Sequence, residues 1–210
     1  MDLFRFFFAI ILITAFVMSG AFRRRARRTG AIPRSREGGA MLAMRLVFAL
    51  PFFLAMVAYI INPRWMDWSA LALPEAARWA GVAIGLAVLP VLYWVLRSIG
   101  RNISETVLTK SDHALVTHGP YRWVRHPLYA AATIAFLALG LIAANAFILA
   151  LAVLIFVGVA LWIVPKEEAE LEAKFGRAYE DYRMRTGAFL PRLVVTGKPP
   201  AARAGPSLPA

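Results

Sequence analysis

The chain predicts an all-α, polytopic membrane protein with five transmembrane helices, a hairpin of helices four and five, and an amphipathic helix near the C-terminus. Three observations predict it. The 210 residues are 60% hydrophobic with only 17% charged. The formal net charge is +12, a pairing that basic soluble proteins rarely show. The apolar residues fall in runs of bilayer-spanning length rather than in an amphipathic pattern.

The first run, Phe6 to Phe22, lacks a basic region before it and a small-residue cleavage site after it, so it reads as a retained span and not a signal peptide. The second is Leu46 to Ile61, or from Met41 if Arg45 snorkels, and the third is Trp79 to Leu96. Within the third, GVAIG at 81–85 is a small-xxx-small pattern that suits close helix packing, and Pro90 marks a site for a kink. Between them Trp65 and Trp68 suit an interface. The last run, Pro127 to Val164, holds 38 residues. As one helix it would be about 57 Å long, nearly twice the hydrocarbon core, so it folds into two spans that turn near Asn145.

Cytoplasmic loops are enriched in Lys and Arg. With five spans and the N-terminus outside, 21 of the 24 basic residues lie inside, and only Arg5, Arg64 and Arg78 lie outside. This orientation fits a bacterial inner membrane. The basic charge, including RRRARR at 23–28, is then accounted for by topology and anionic headgroups. Nucleic acid is not an indicated partner, because no aromatic platform interleaves the arginines. Without cysteine there is no disulfide, thiolate metal site or cysteine nucleophile. The three histidines His113, His118 and His126 form no metal box and HExxH is absent, so no metal is expected. Charges are nearly absent within the spans, which argues against ion transport. Residues 1–193 read as one integral domain and 194–210, rich in Pro, Ala and Gly, as a disordered tail.

Two segments are too rich in chemistry to be connectors. In HGPYRWVRHPLY at 118–129, Gly119 and Pro120 form a turn. Pro127 at the first helical position stiffens the entry to helix four, holding His126 out of the helical region. Arg122, Arg125 and His126 are so presented at the membrane face beside Tyr121 and Tyr129. Taken singly, each also reads as an interfacial anchor. Pro165 and the acids after it start a further helix. At about 100° per residue its Leu171, Phe175, Ala178, Tyr179 and Tyr182 share one stripe, with Glu168 inside it and Glu167 at its edge. A carboxylate on the buried side wants a cationic partner.

GPYRWVRHPLY, two apolar spans and then EEAELEAKFGRAYEDY resemble, over about residues 97–191, the integral-membrane methyltransferases typified by isoprenylcysteine carboxyl methyltransferase, with phospholipid methyltransferases as relatives. The resemblance rests on RHPLY at 125–129 and on Glu167, Glu168, Phe175, Gly176, Tyr179 and Tyr182. It implies S-adenosylmethionine as cofactor and a lipophilic or lipid-modified acceptor within the membrane. The acceptor expected first is a carboxylate of an isoprenylcysteine-like or isoprenoid substrate; N-methylation of a phospholipid headgroup is second. The cofactor-binding residues it implies are His118, Gly119, Tyr121, His126, Pro127, Tyr129, Glu167, Glu168, Leu171, Phe175, Tyr179 and Tyr182, with Arg125, Glu168 and Tyr129 as catalytic candidates. Many relatives carry arginine where this chain has Ala188, one turn after Arg185. A nicotinamide-dependent reductase resembling the sterol reductases and a non-enzymatic membrane subunit remain alternatives.

Overall fold

The computed structural model describes residues 2–27, 39, 43, 45–100 and 114–192. The expected tail at 194–210, most of the 22–45 loop, Met41, Lys110 and His113 lie outside the described residues. All regular structure among the described residues is helical, with two isolated bridges and no strand. The helices are α1 (Leu3–Arg27), α2 (Leu50–Ile61), α3 (Glu75–Ile99), α4 (Pro127–Ala143), α5 (Ala146–Gly158), α6 (Val164–Phe175) and α7 (Arg177–Arg185). Short 3₁₀ turns cover Pro63–Ser69 and Gly119–Arg122.

Three helical stretches are long and apolar enough to cross a membrane: Leu3–Arg27, Glu75–Ile99 and Ala146–Phe175. Leu46–Ile61 and Pro127–Ala143 are shorter apolar helices.

The predicted turn of the long apolar run lies at Ala144, in the left-handed region at φ 48°, and Asn145. Asn145 caps α5 by accepting from the Ile148 N–H, which satisfies an otherwise orphaned helix donor. Its amide also donates to the Met66 carbonyl at 3.0 Å and to Ser69 Oγ at 2.8 Å. The hairpin is therefore fastened to the 3₁₀ turn beyond α2.

Small residues set the packing of α3 on its neighbours. A Cβ at Gly81 would stand 2.9 Å from Leu141 Cβ, and one at Gly85 would stand 2.7 Å from Ile11 Cδ1. GVAIG is the close contact of α3 with α4 and α1, as its spacing suggests. Phe8, Ile11, Phe52, Met56, Leu139, Ile142 and Ile148 fill the core at the Asn145 end. Val88, Leu92, Leu96, Ala131 and Ala135 form a second core toward the other end.

The sequence expectation fails in two places. Pro165 stands in the first turn of α6, as expected, but no break precedes it, because α5 continues into α6 through a π-helical turn at Val159–Ile163. The wider turn accommodates a proline that lacks an N–H and would crowd a regular α-helix. The stripe from Leu171 to Tyr182 is also broken, since Gly176 at φ 53° and ψ −128° separates α6 from α7. That backbone conformation suits glycine alone. Ala178, projected onto the stripe, is accordingly exposed.

Candidate functional site

Pro127 stands in the first turn of α4, as expected, and His126 precedes it with φ −122° and ψ 56°, outside the helical region. The backbone ahead of the proline is thus free to pair elsewhere. It pairs with the end of the described chain: Arg125 N donates to the Gly187 carbonyl at 2.8 Å and His126 N to the Ala188 carbonyl at 2.9 Å. Val124 and Gly187 form a parallel bridge. Gly187 has no room for a side chain, since a Cβ there would be 1.8 Å from the Leu190 carbonyl oxygen.

This pairing brings the two sequence motifs together. Arg125 Nε donates to Glu168 Oε1 at 2.8 Å, and His126 Nε2 lies 3.0 Å from the same oxygen. Tyr129 donates its hydroxyl to Glu167 Oε2 at 3.0 Å, and His126 Nδ1 stands 3.8 Å from that atom. Glu168, with 17% of its side chain exposed, lies deeper than Glu167 at 31%. The order is that of the helical projection, and Glu168 has the cationic partner its position calls for.

Arg125 has further work. Its Nη1 donates to the Arg183 carbonyl at 3.2 Å and to the Thr186 carbonyl, so one guanidinium ties α4, α6 and the end of α7. Tyr182, also buried, donates to the Tyr121 carbonyl at 2.6 Å. Burial pushes the Tyr182 phenol up to about 12, against the lowering charge of Arg125, which keeps it a donor at neutral pH.

Tyr179 is wholly buried, and its hydroxyl has no hydrogen-bond partner among the described residues. Burial raises its pKa, and the charges of Glu168 and Arg125 oppose one another across it. A buried hydroxyl without a partner costs about 1–3 kcal/mol. Such an unpaired hydroxyl is uncommon in a folded protein.

Not every sequence candidate joins this cluster. His118 is exposed at the start of the 3₁₀ turn. Gly119, at φ 60°, packs against α3, where a Cβ would stand 2.4 Å from Ser98 Oγ. Leu171 and Phe175 lie half-buried one and two turns beyond Glu168. Thr186, Gly187 and Phe189 were not singled out in the sequence, yet with Ala188 they close the site. Phe189 tilts against the His126 ring with centroids 6.0 Å apart, and it meets Phe156 edge-on at 5.0 Å. Gly187, in TGAFLP at 186–191, was the available signal.

The comparisons with known proteins meet this geometry in the same segment. Residues 81–173 match the model of the isoprenylcysteine carboxyl methyltransferase (ICMT) family, a class of membrane-embedded methyltransferases. The family resemblance is borne out, and that core holds RHPLY and the paired glutamates. The chain is similar to "Uncharacterized protein YpbQ" of Bacillus subtilis (34% identity, 38% of this chain and 43% of that one). It is also similar to "Cobalt-zinc-cadmium resistance protein CzcN" of Cupriavidus metallidurans (31% identity, 56% and 55%). A "Probable protein-S-isoprenylcysteine O-methyltransferase" of Oryza sativa is 27% identical over 84% of this chain and 87% of that one. The chain thus spans about half the length of the first two relatives. In fold it resembles the solved structure of the eukaryotic intramembrane Ras methyltransferase ICMT, with TM-score 0.53, 21% identity, 71% of this chain and 52% of that one.

Proposed function

We propose that this protein transfers a methyl group from S-adenosylmethionine to a lipophilic acceptor that enters from the membrane. The observation that carries the reading is the meeting of two motifs 43 positions apart at the single oxygen Glu168 Oε1. A buried ion pair of this kind adds little to stability compared with apolar packing. Its presence in an otherwise apolar bundle is better accounted for by a polar ligand.

The residues fit the methyl donor. The molecule brings a sulfonium, an amino acid head and an adenine. Glu168 and, less strongly, Glu167 suit the ammonium, and the unpartnered Tyr179 hydroxyl suits a further polar atom of the head. Tyr121, Tyr129, His126 and Phe189 offer aromatic surface to a cation or a base. Arg125 is engaged by Glu168 and two carbonyls, so its part is to hold Glu168 ionised and in place. When bound, the donor supplies an electrophilic methyl. The protein aligns the reacting atoms and excludes water, which can account for much of the rate.

The names of the family and of the rice relative support a carboxylate acceptor of isoprenylcysteine type. Phospholipid N-methylation stands second. We further propose that residues 1–193 form one domain crossing a bacterial inner membrane five times, with the N-terminus outside. The distribution of basic residues supports this, and reporter fusions at both termini test it.

Calorimetric titration with S-adenosylhomocysteine tests the donor site. Glu168→Gln keeps the shape and loses a charge-assisted bond, about 1.5–3 kcal/mol or roughly ten- to more than a hundredfold in affinity. Glu167→Gln costs less. Binding of NADPH with none of the adenosyl compound would instead favour the reductase alternative.

A further inference from the structure

The geometry points to a second acceptor class at this site, a lipophilic thiol, with Glu167 as the group that takes its proton and His126 behind it. The inference rests on the methyl-transfer reading above and extends it from an acceptor that is already ionised to one that must lose a proton.

Arg125 can only donate, and Glu168 Oε1 takes its Nε–H at 2.8 Å. A carboxylate held ionised in this way can only accept. His126 Nε2, 3.0 Å from the same oxygen, must therefore carry a hydrogen. With Nε2 carrying a hydrogen, the neutral form of the ring has its lone pair on Nδ1. Arg125 and Glu168 thus orient a histidine much as the aspartate does in a serine protease triad. Nδ1 faces Glu167 Oε2 at 3.8 Å, too far for a hydrogen bond. Glu167 is consequently an open acceptor, fixed by the Tyr129 hydroxyl. Its side chain is 31% exposed against 3% for His126, so a substrate reaches Glu167 first.

Binding the donor's ammonium needs one acid. A carboxylate acceptor needs no base at all. The ordered series Tyr129, Glu167, His126, Glu168, Arg125 contains more proton-accepting capacity than either task uses. It suits an acceptor that arrives protonated. Reference pKa values rank the common ones for a carboxylate base near 4.3: a thiol near 8.5 lies about four units above it, whereas an ammonium near 10.4 lies about six units above it, a further hundredfold. The thiol is the acceptor that Glu167 can deprotonate at the smaller penalty. In the step, the thiol sulfur forms a bond to the methyl carbon. The bond from that carbon to the sulfonium breaks, with its electron pair passing to the donor sulfur. The thiol proton goes to Glu167 Oε2, and two neutral thioethers result.

The test uses the full chain in lipid nanodiscs, radiolabelled S-adenosylmethionine at saturation, and two probes. N-dodecanoylcysteine methyl ester offers a thiol and no free carboxylate. N-dodecanoyl-S-ethylcysteine offers a carboxylate and no thiol. We expect labelled thioether from the first probe. In Glu167→Gln, turnover of the thiol should fall about thirtyfold at pH 7, where only about 3% of such a thiol is ionised, and recover to within about threefold of wild type at pH 9.5. A purely structural or donor-binding role would give a deficit that does not close with pH.

The groups facing Glu167 are Tyr121, Tyr129 and His126 from the first motif, Glu168 beside it, and Tyr179 on α7. Burial pushes Tyr121 and Tyr179 up, out of the pH range used. In donor-free protein, nitrogen-15 NMR should find His126 protonated on Nε2 and bare on Nδ1. The opposite tautomer, a pH-independent deficit, or turnover of the carboxylate probe without the thiol would each overturn the inference. Failure of wild-type protein to bind S-adenosylmethionine would instead remove the methyl-transfer reading itself.

Discussion

The two ends of the helical bundle use similar polar side chains for different purposes. At the Asn145 end, Arg5 donates to the carbonyls of Ile60 and Ile61 at the close of α2, and Arg78 donates to Ile142 O at the close of α4 at 3.0 Å. Arg78 also lies 3.9 Å over the Phe4 ring. These cations complete helix C-termini, whose last carbonyls lack internal partners and carry partial negative charge. Asn145 uses its carbonyl and both directions of its amide on backbone and Ser69. At the RHPLY end, Arg125 and His126 face carboxylates from another helix, and the buried Tyr179 hydroxyl is left over. The first polar set is closed on the backbone. The second concentrates charge and leaves a buried hydroxyl unmatched, which is the contrast behind the proposed donor site.

Arg125 is where this contrast is sharpest, because it belongs to both kinds of set. Removing it leaves Glu168 buried without its strong partner and releases the carbonyls of Arg183 and Thr186. Breaking a buried pair from one side costs about 3–5 kcal/mol. We expect Arg125→Ala to loosen α6 and α7 by that order, seen as faster amide exchange or proteolysis after Gly176, while the Asn145 end keeps its protection. Uniform protection at both ends would show that the guanidinium is not a fastener. The sequence marked Arg125 as a cofactor or catalytic candidate and gave no sign of this second role.

At the opposite end the expected loss is smaller and confined to stability. Asn145→Ala removes an α5 cap and one of the donors to the Met66 carbonyl, for about 1–2 kcal/mol. Thermal melting should show it, with S-adenosylhomocysteine affinity unchanged in the protein that remains folded. A fall in affinity as large as that of Glu168→Gln would mean that the two ends are coupled and the division drawn here is false.

What was legible in the sequence follows the same division. Apolar run lengths gave the α-helices and the turn at Asn145, since bilayer thickness and helix rise leave few choices. RHPLY and the double glutamate gave the ion pair, because Pro127 fixes the backbone before it and Glu168 needs a cation. The projection through Gly176 failed because it assumed uniform helical geometry, and a glycine at φ 53° breaks that geometry without a helix-breaking proline to announce it. The continuity of α5 and α6 was missed for the converse reason, as the π turn absorbs a proline that normally marks a start. The closing contacts of Thr186 to Phe189 join segments about 60 residues apart, through backbone pairing at Gly187 and Ala188, the Arg125 side chain at Thr186 and ring contacts at Phe189, which no local pattern reports.

The smallest predicted effect is the most discriminating, because its sign differs between the two states of the protein. Tyr179→Phe deletes only the hydroxyl oxygen, leaving the ring that packs near Tyr182 at 6.1 Å between centroids. If the hydroxyl is unmatched until a ligand arrives, its loss removes a desolvation cost from the free protein. The melting temperature then rises or holds, on the scale of about 1 kcal/mol. The bound state loses a hydrogen bond of similar size, so S-adenosylhomocysteine affinity falls by about three- to tenfold. At the Asn145 end the corresponding deletion, Ser69→Ala, removes a hydroxyl that accepts from Asn145 and donates to Met66 O. That change should only destabilise and should leave affinity alone. Opposite signs for stability in Tyr179→Phe and Ser69→Ala would sustain the distinction between a waiting polar group and a satisfied one. A loss of stability in both, with affinity unmoved, would place Tyr179 with the architecture and leave Glu168 as the main support for a donor site.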